Sequence, residues 1–223
     1  RCAKYGRGFP ENCQKRGLKL KNQTMLQFEK KEIENCLKSD WDLGNDVLYK
    51  LCSKNFTHTN KSEVLAKTWL IGRAYAAAIE RRTKNLEIEN DHFYSEVIFK
   101  KINESKLDSL LLDLSNFHSI NEDSIDKITS THHYLCSSLK EITGLYKRSF
   151  CSKYLHFHLP QLYFIYDSRA KKSLSALSKS MKTKNKISIC TGEYDTEYKE
   201  FVTNCLALRK QIHNEYGIEL TTR

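Results

Sequence analysis

The sequence predicts an all-α protein, and three observations carry that prediction. Turn-forming residues are scarce: 2 Pro and 8 Gly in 223 residues are too few to punctuate a many-stranded β fold. Apolar residues recur at spacings of three and four in one window after another, the period of a helix with a single buried face. Strand-like composition is confined to 187–190. The chain is long enough to bury a real core as one domain, or as one domain of two lobes.

The elements follow in order. Residues 1–21 are basic and glycine-rich, include Pro10, and read as an arm or loop ahead of a single helical domain over 22–223. Met25, Leu26, Phe28, Ile33 and Leu37 share one face of a first helix that ends before Asp40. Asn45 is placed to cap a short helix running to about Cys52. Ser62 and Glu63 open the strongest helical pattern, over 62–82, where Leu65, Trp69, Gly72, Ala76 and Ile79 line one face and the small residues allow a close crossing. Arg73 and Glu80 lie seven apart on that helix and are expected to form an ion pair; Trp69 and Tyr75 read as core aromatics. Further helices are expected over 89–102, 106–117 and 122–142, the last carrying Ile125, Ile128, Leu135 and Leu139. A helix ending before Pro160, a helix from Asp167 to about Met181, and a final helix over 196–216 with Phe201, Cys205, Leu208 and Ile212 on one face complete the chain.

Charge is distributed unevenly. The net charge is +10, and the interval 143–192 supplies +9 of it: Lys or Arg at 147, 148, 153, 169, 171, 172, 179, 182, 184 and 186, against the single carboxylate of Asp167. Without interspersed acids, helical i, i+4 pairing does not account for these cations, and a polyanionic partner does. The longest apolar run, near 74–79, is too short to span a bilayer. The eight cysteines are scattered without a C-x-x-C pair, which predicts a reduced, cytoplasmic protein with Cys36, Cys136 and Cys205 as small core residues and Cys2 and Cys13 unpaired. His156 and His158, and the neighbours His132 and His133, lack the i, i+4 spacing of a helical zinc pair, so no metal or other cofactor is expected.

Asp167 stands between the apolar approach Phe164-Ile165-Tyr166 and the helix opening Ser168-Arg169-Ala170. As a helix N-cap it accepts bonds from the first backbone N–H groups, worth about 1 kcal/mol. The same position keeps a carboxylate ionised and fixed, which suits stabilisation of an oxocarbenium ion. Cap and catalyst are compatible roles.

The run Ser152-Lys153-Tyr154-Leu155-His156-Phe157, followed by Phe164-Ile165-Tyr166-Asp167-Ser168-Arg169, resembles the helix-hairpin-helix DNA glycosylase superfamily, nearest its 8-oxoguanine glycosylase-like branch. The likeness covers about 143–170. It implies a two-lobed all-α fold with an interlobe cleft, DNA (duplex or single-stranded) as partner, and Asp167 as the catalytic carboxylate, in a hairpin and acid segment over 143–182.

Two departures qualify what the resemblance implies. Bifunctional members carry a lysine where this chain has Ser149, and Lys147 and Lys153 are expected on other faces, so base removal without strand cleavage is favoured. The hairpin keeps one glycine of two, Gly144, leaving Lys147 and Arg148 to contact phosphates by side chain. Lys153, Arg169, Lys171 and Lys172 join them as nucleic-acid contacts, with His156, Tyr166 and Ser168 lining the base pocket. The four-cysteine loop that holds an iron–sulfur cluster in some relatives is missing. Two alternatives remain: a non-catalytic nucleic-acid-binding or scaffold protein, and an N-glycosidase acting on free nucleosides or nucleotides.

Overall fold

A computed structural model describes residues 29–36, 41–81, 92–178 and 192–222. The expectations for the 1–21 arm, the first half of the opening helix, the lysine-rich 179–186 stretch and the strand at 187–190 lie outside the described residues. Among the described residues the structure is helical, with no strand. The all-α expectation holds, and no helix there is long and apolar enough to cross a membrane.

The chain forms α1 (Lys30–Cys36), α2 (Trp41–Lys54) and α3 (Lys61–Ala74), then a π-helical segment (Phe93–Ile98) running into α4 (Phe99–Asn103). There follow α5 (Leu107–Ser115), α6 (Glu122–Thr143), α7 (Arg148–His158), α8 (Ser168–Ser178) and α9 (Thr196–Tyr216).

Two expected boundaries move for identifiable reasons. Asn45 lies inside α2 and accepts a hydrogen bond from the Tyr75 hydroxyl, so it is not a cap. The cap of α3 is Asn60, whose Oδ1 accepts the Ser62 N–H at 3.0 Å. The alanine-rich 75–81 stretch does not continue α3. The chain leaves the helix at Tyr75, Ala76 takes φ +50°, and Ala77 N–H bonds back to Gly72 O at 2.8 Å. A Cβ on Gly72 would sit 3.4 Å from the Ala78 Cα, so the small residues serve this fold-back rather than a helix crossing. The Arg73–Glu80 pair forms as expected, at 2.7 Å, but across the fold-back and not along one helical face.

Helix α7 is the centre of the molecule. It packs against α2, α3 and α6, and every residue from Phe150 to His158 is buried. A helix buried all round is expected to be apolar, so its polar residues require internal partners. They have them. His156 donates Nδ1–H to Tyr163 O and its Nε2 accepts the Tyr49 hydroxyl, both at 2.7 Å. His158 bonds Tyr154 O at 2.7 Å through Nδ1 and faces the Lys67 ammonium at 3.4 Å through Nε2. The helix stops where Pro160 follows, with Leu159 N–H bonded to Leu155 O at 2.8 Å.

Helices α6 and α9 are both capped at their two ends. Asn121 and Ser124 form a reciprocal capping box on α6, which ends at Gly144 in the left-handed region with φ +71°. Asp195 caps α9, which also ends on a left-handed glycine, Gly217.

Candidate functional site

Asp167 is held from both sides. Its Oδ1 accepts the N–H groups of Arg169 (2.9 Å) and Ala170 (2.8 Å), making it the N-cap of α8 as the sequence predicts. Both bonds fall on one oxygen, so the cap does not require Oδ2. Immediately before it, Tyr166 N–H donates to Ser152 Oγ at 3.0 Å, and Ser152 Oγ reaches Tyr166 O at 3.3 Å. One serine of the buried helix thus fastens the approach segment to α7.

Asp167 opens on a cleft of about 1350 Å³. Its walls come from the fold-back after α3 (Ala74–Ala78, Arg81), the α6–α7 turn (Tyr146, Lys147), one face of α7 (Arg148, Ser149, Phe150, Lys153) and the start of α8 (Ser168 to Lys172). The alanines bring no long side chains into this part of the lining. Cations at Arg81, Lys147, Arg169 and Lys172 line it.

Lys153 corrects the sequence-based expectation most sharply. Ser149 and Lys153 are four apart, hence one turn above each other on the same face of α7, and Lys153 Nζ donates to Ser149 Oγ at 2.8 Å. The lysine is 3% exposed and lines the cleft with Asp167. Burial lowers its ammonium pKa below the ordinary lysine value, and the charge of Asp167 works against that shift. Lys153 thus brings a buried amine beside Ser149, on the part of α7 that lines the cleft.

Two of the predicted phosphate-binding cations are already engaged. Arg148 pairs with Asp195 through Nε and with Glu197 through Nη1 at 2.9 Å, and Lys171 pairs with Glu197. Glu197 also accepts the Tyr166 hydroxyl at 2.5 Å. The Lys171 bond, then the Tyr166 bond, hold its carboxyl below the usual range. Burial and the Glu197 bond push the Tyr166 phenol up to about 12, so it stays a donor. Asp167 is alone in sequence but not in space: Asp195 and Glu197, at the start of α9, reach the same wall.

The remaining predicted residues divide. Arg169 and Lys172 line the cleft, as do exposed Ser168 and mostly buried Tyr166. Lys147 lines it too and donates to Arg81 O at 2.6 Å, tying the hairpin turn to the fold-back. Gly144 does not line the cleft; its positive φ turns the chain out of α6. His156 is 1% exposed, bonded on both ring nitrogens in the core, and lies outside the cleft, so a pocket role for it is overturned. Arg81, the fold-back alanines and Glu197 were missed because non-local folding brings them in. The Ser149–Lys153 spacing was the one available local signal.

Compared with protein-family models, curated proteins and solved structures, this chain matches none.

Proposed function

We propose that this protein cleaves the N-glycosidic bond of a modified or damaged base in DNA. The observation that carries the reading is that Asp167 and the buried amine of Lys153 open into one cleft lined with cations. On this reading α6, its turn, α7 and the capped start of α8 form the hairpin-and-acid unit of a helix-hairpin-helix glycosylase, and the cleft is its interlobe groove. The target nucleotide enters extruded from the stack, with flanking phosphates against Lys147, Arg169 and Lys172. As the bond to the base breaks, positive charge develops at C1′ and the sugar ring oxygen. The Asp167 carboxylate, fixed by its cap, stabilises that charge and orients water to C1′. The electron pair of the broken bond leaves with the base, which takes up a proton.

The position of Lys153 favours a second course at the same site. A neutral amine there attacks C1′ in place of water, and the product is an imine with the opened sugar, the intermediate of a lyase. Serine at 149 therefore does not decide between hydrolysis and amine attack.

The test uses duplex and single-stranded oligonucleotides carrying a panel of modified bases, with and without borohydride. Base release lost in Asp167→Asn with binding retained supports the reading. Release that survives this substitution overturns it. A borohydride-trapped adduct lost in Lys153→Arg selects amine attack, and release without an adduct selects hydrolysis. Salt-sensitive binding without release from any substrate selects the non-catalytic alternative, and release from free nucleosides selects the N-glycosidase.

A further inference from the structure

Behind the cleft wall, three elements bring metal-ligating side chains together in the core. His132 and Cys136 are four apart on α6 and so share one face. Asp195 arrives from the segment that enters α9. One donor atom from each of His132, Cys136 and Asp195 lies within 4.8 Å of the others. Cys151 of α7, buried next to Cys136 on the facing helix, is the thiol nearest at hand for a fourth ligand. His132, Cys136 and Cys151 have no exposed surface, and Asp195 has 5%.

A tetrahedral zinc ion with ligands at roughly 2.0–2.3 Å needs donor atoms roughly 3.3–3.8 Å apart. Cys136 Sγ and His132 Nε2 already have that spacing at 3.7 Å; closing on an ion requires Asp195 to draw in from within 4.8 Å and the Cys151 side chain to turn toward them. Its composition, one imidazole, two thiols and one carboxylate, suits a borderline-soft divalent ion and not calcium or magnesium.

The surroundings have the character of a supporting shell. Asp195 Oδ1 accepts the N–H groups of Glu197 (3.1 Å) and Tyr198 (3.4 Å), and Arg148 holds Oδ2. A carboxylate has about four acceptor directions, so three hydrogen bonds leave one for a metal. The His132 ring stacks on Tyr198 with centroids 3.6 Å apart and 13° between planes, which fixes its orientation.

Arg148 at first argues against a cation. The charge count argues otherwise. Two thiolates, one carboxylate and a neutral imidazole around a divalent ion leave one net negative charge, and the guanidinium beside Asp195 neutralises it.

We propose that His132, Cys136, Cys151 and Asp195 form a structural zinc site that fastens α6, α7 and the start of α9 together behind the cleft. With four protein ligands it keeps no open position, so it supports the wall and takes no part in bond cleavage. Arg148, which lines the cleft and pairs with Asp195, joins the two.

The test measures metal in the full chain purified under reductant without chelator, then titrates chelated protein with Co²⁺. The expected results are about one zinc per chain and, with cobalt, a thiolate-to-cobalt absorption with the intense visible bands of a tetrahedral site. Cys136→Ser and Cys151→Ser should each lose stoichiometric binding, and Cys205→Ser should leave it unchanged. Since the ligand variants also risk misfolding, the wild-type titration decides by itself, with helical circular dichroism confirming that the chelated chain is folded. A folded wild-type chain with no zinc and no thiolate–cobalt band overturns the proposal. So does recovery of Cys136 and Cys151 as a disulfide under the same reductant.

Discussion

Ser152 and Tyr166 are joined through the serine hydroxyl, which accepts the tyrosine N–H at 3.0 Å and also reaches its carbonyl at 3.3 Å. This one side chain ties the helix that carries Lys153 to the segment that carries Asp167. Ser152→Ala leaves the buried N–H of Tyr166 unpaired. The expected loss is about 1–3 kcal/mol in denaturant unfolding, with a fall in any base release as Asp167 loses its placement. Unchanged stability would show that the segment is held by other contacts.

The cap and the charge of Asp167 separate by substitution. Asparagine caps as well as aspartate, so Asp167→Asn should stay within a few tenths of a kcal/mol of wild type, whereas Asp167→Ala should lose about 1 kcal/mol. Both should lose roughly 10²–10³-fold in base release if the charge acts on the transition state. Parallel melts and single-turnover assays read the two effects independently.

Lys153 gives a pH dependence of defined sign. Its folded pKa is lowered by burial, against the pull of Asp167, from the ordinary 10.5. The neutral amine therefore forms as pH rises, and adduct trapping should increase with a midpoint below 10.5. In the window between the folded and unfolded values the unfolded chain binds more protons, so stability rises with pH there. Lys153→Met should abolish trapping and flatten that rise, as measured by unfolding at alkaline pH.

The histidines of the core give the opposite end of the pH range. Burial holds His158 well below 6.5, with the charges of His58 and Lys67 acting in the same direction. His58 is lowered too, by burial against its bond to Asp108. Both therefore bind protons less readily in the folded protein than in the unfolded chain. Their contribution is complete above pH 6.5 and is lost as pH falls below it, by at most about 1.4 kcal/mol per pH unit for each. His158→Gln should reduce the slope of unfolding free energy between pH 6.5 and 5. An unchanged slope would place the acid sensitivity elsewhere.

Glu197 engages both Arg148 and Lys171. Glu197→Gln frees positive charge on the cleft wall, so oligonucleotide binding should tighten and its salt dependence steepen by about one unit of log K against log salt per added phosphate contact. Weaker binding would show instead that Glu197 positions these side chains for the ligand.

Much of this arrangement was legible locally. The helical periods, the Pro160 stop and the Asp167 cap all follow from neighbouring residues. The errors are of two physical kinds. Ala76 and its neighbours Ala77 and Ala78 read as a continuation of the helix by their spacing, yet contact with Gly72 folds them back, a tertiary effect that local pattern does not contain. Lys153 was assigned to another face because it was compared with a position in a motif and not with its own helical neighbour, Ser149. Asp195 and Glu197 reach Arg148 only through the packing of α9 beside α8. The His132–Cys136 spacing of four is present in the sequence, but a metal pair of mixed type is not visible from the histidine spacings alone.

The burial of α7 on all sides has a mechanical consequence. Wedged among α2, α3 and α6, it is a fixed post, and Lys153 travels with it. Helix α8 packs against α9, whose Tyr198 stacks on His132 of α6 and whose Phe201 and Val202 lie in the core. The Ser152–Tyr166 bonds and the Glu197–Arg148 pair brace the same unit against α7. The gap between the Lys153 amine and the Asp167 carboxylate is then set by core packing behind the wall, and not by the surface that a ligand meets.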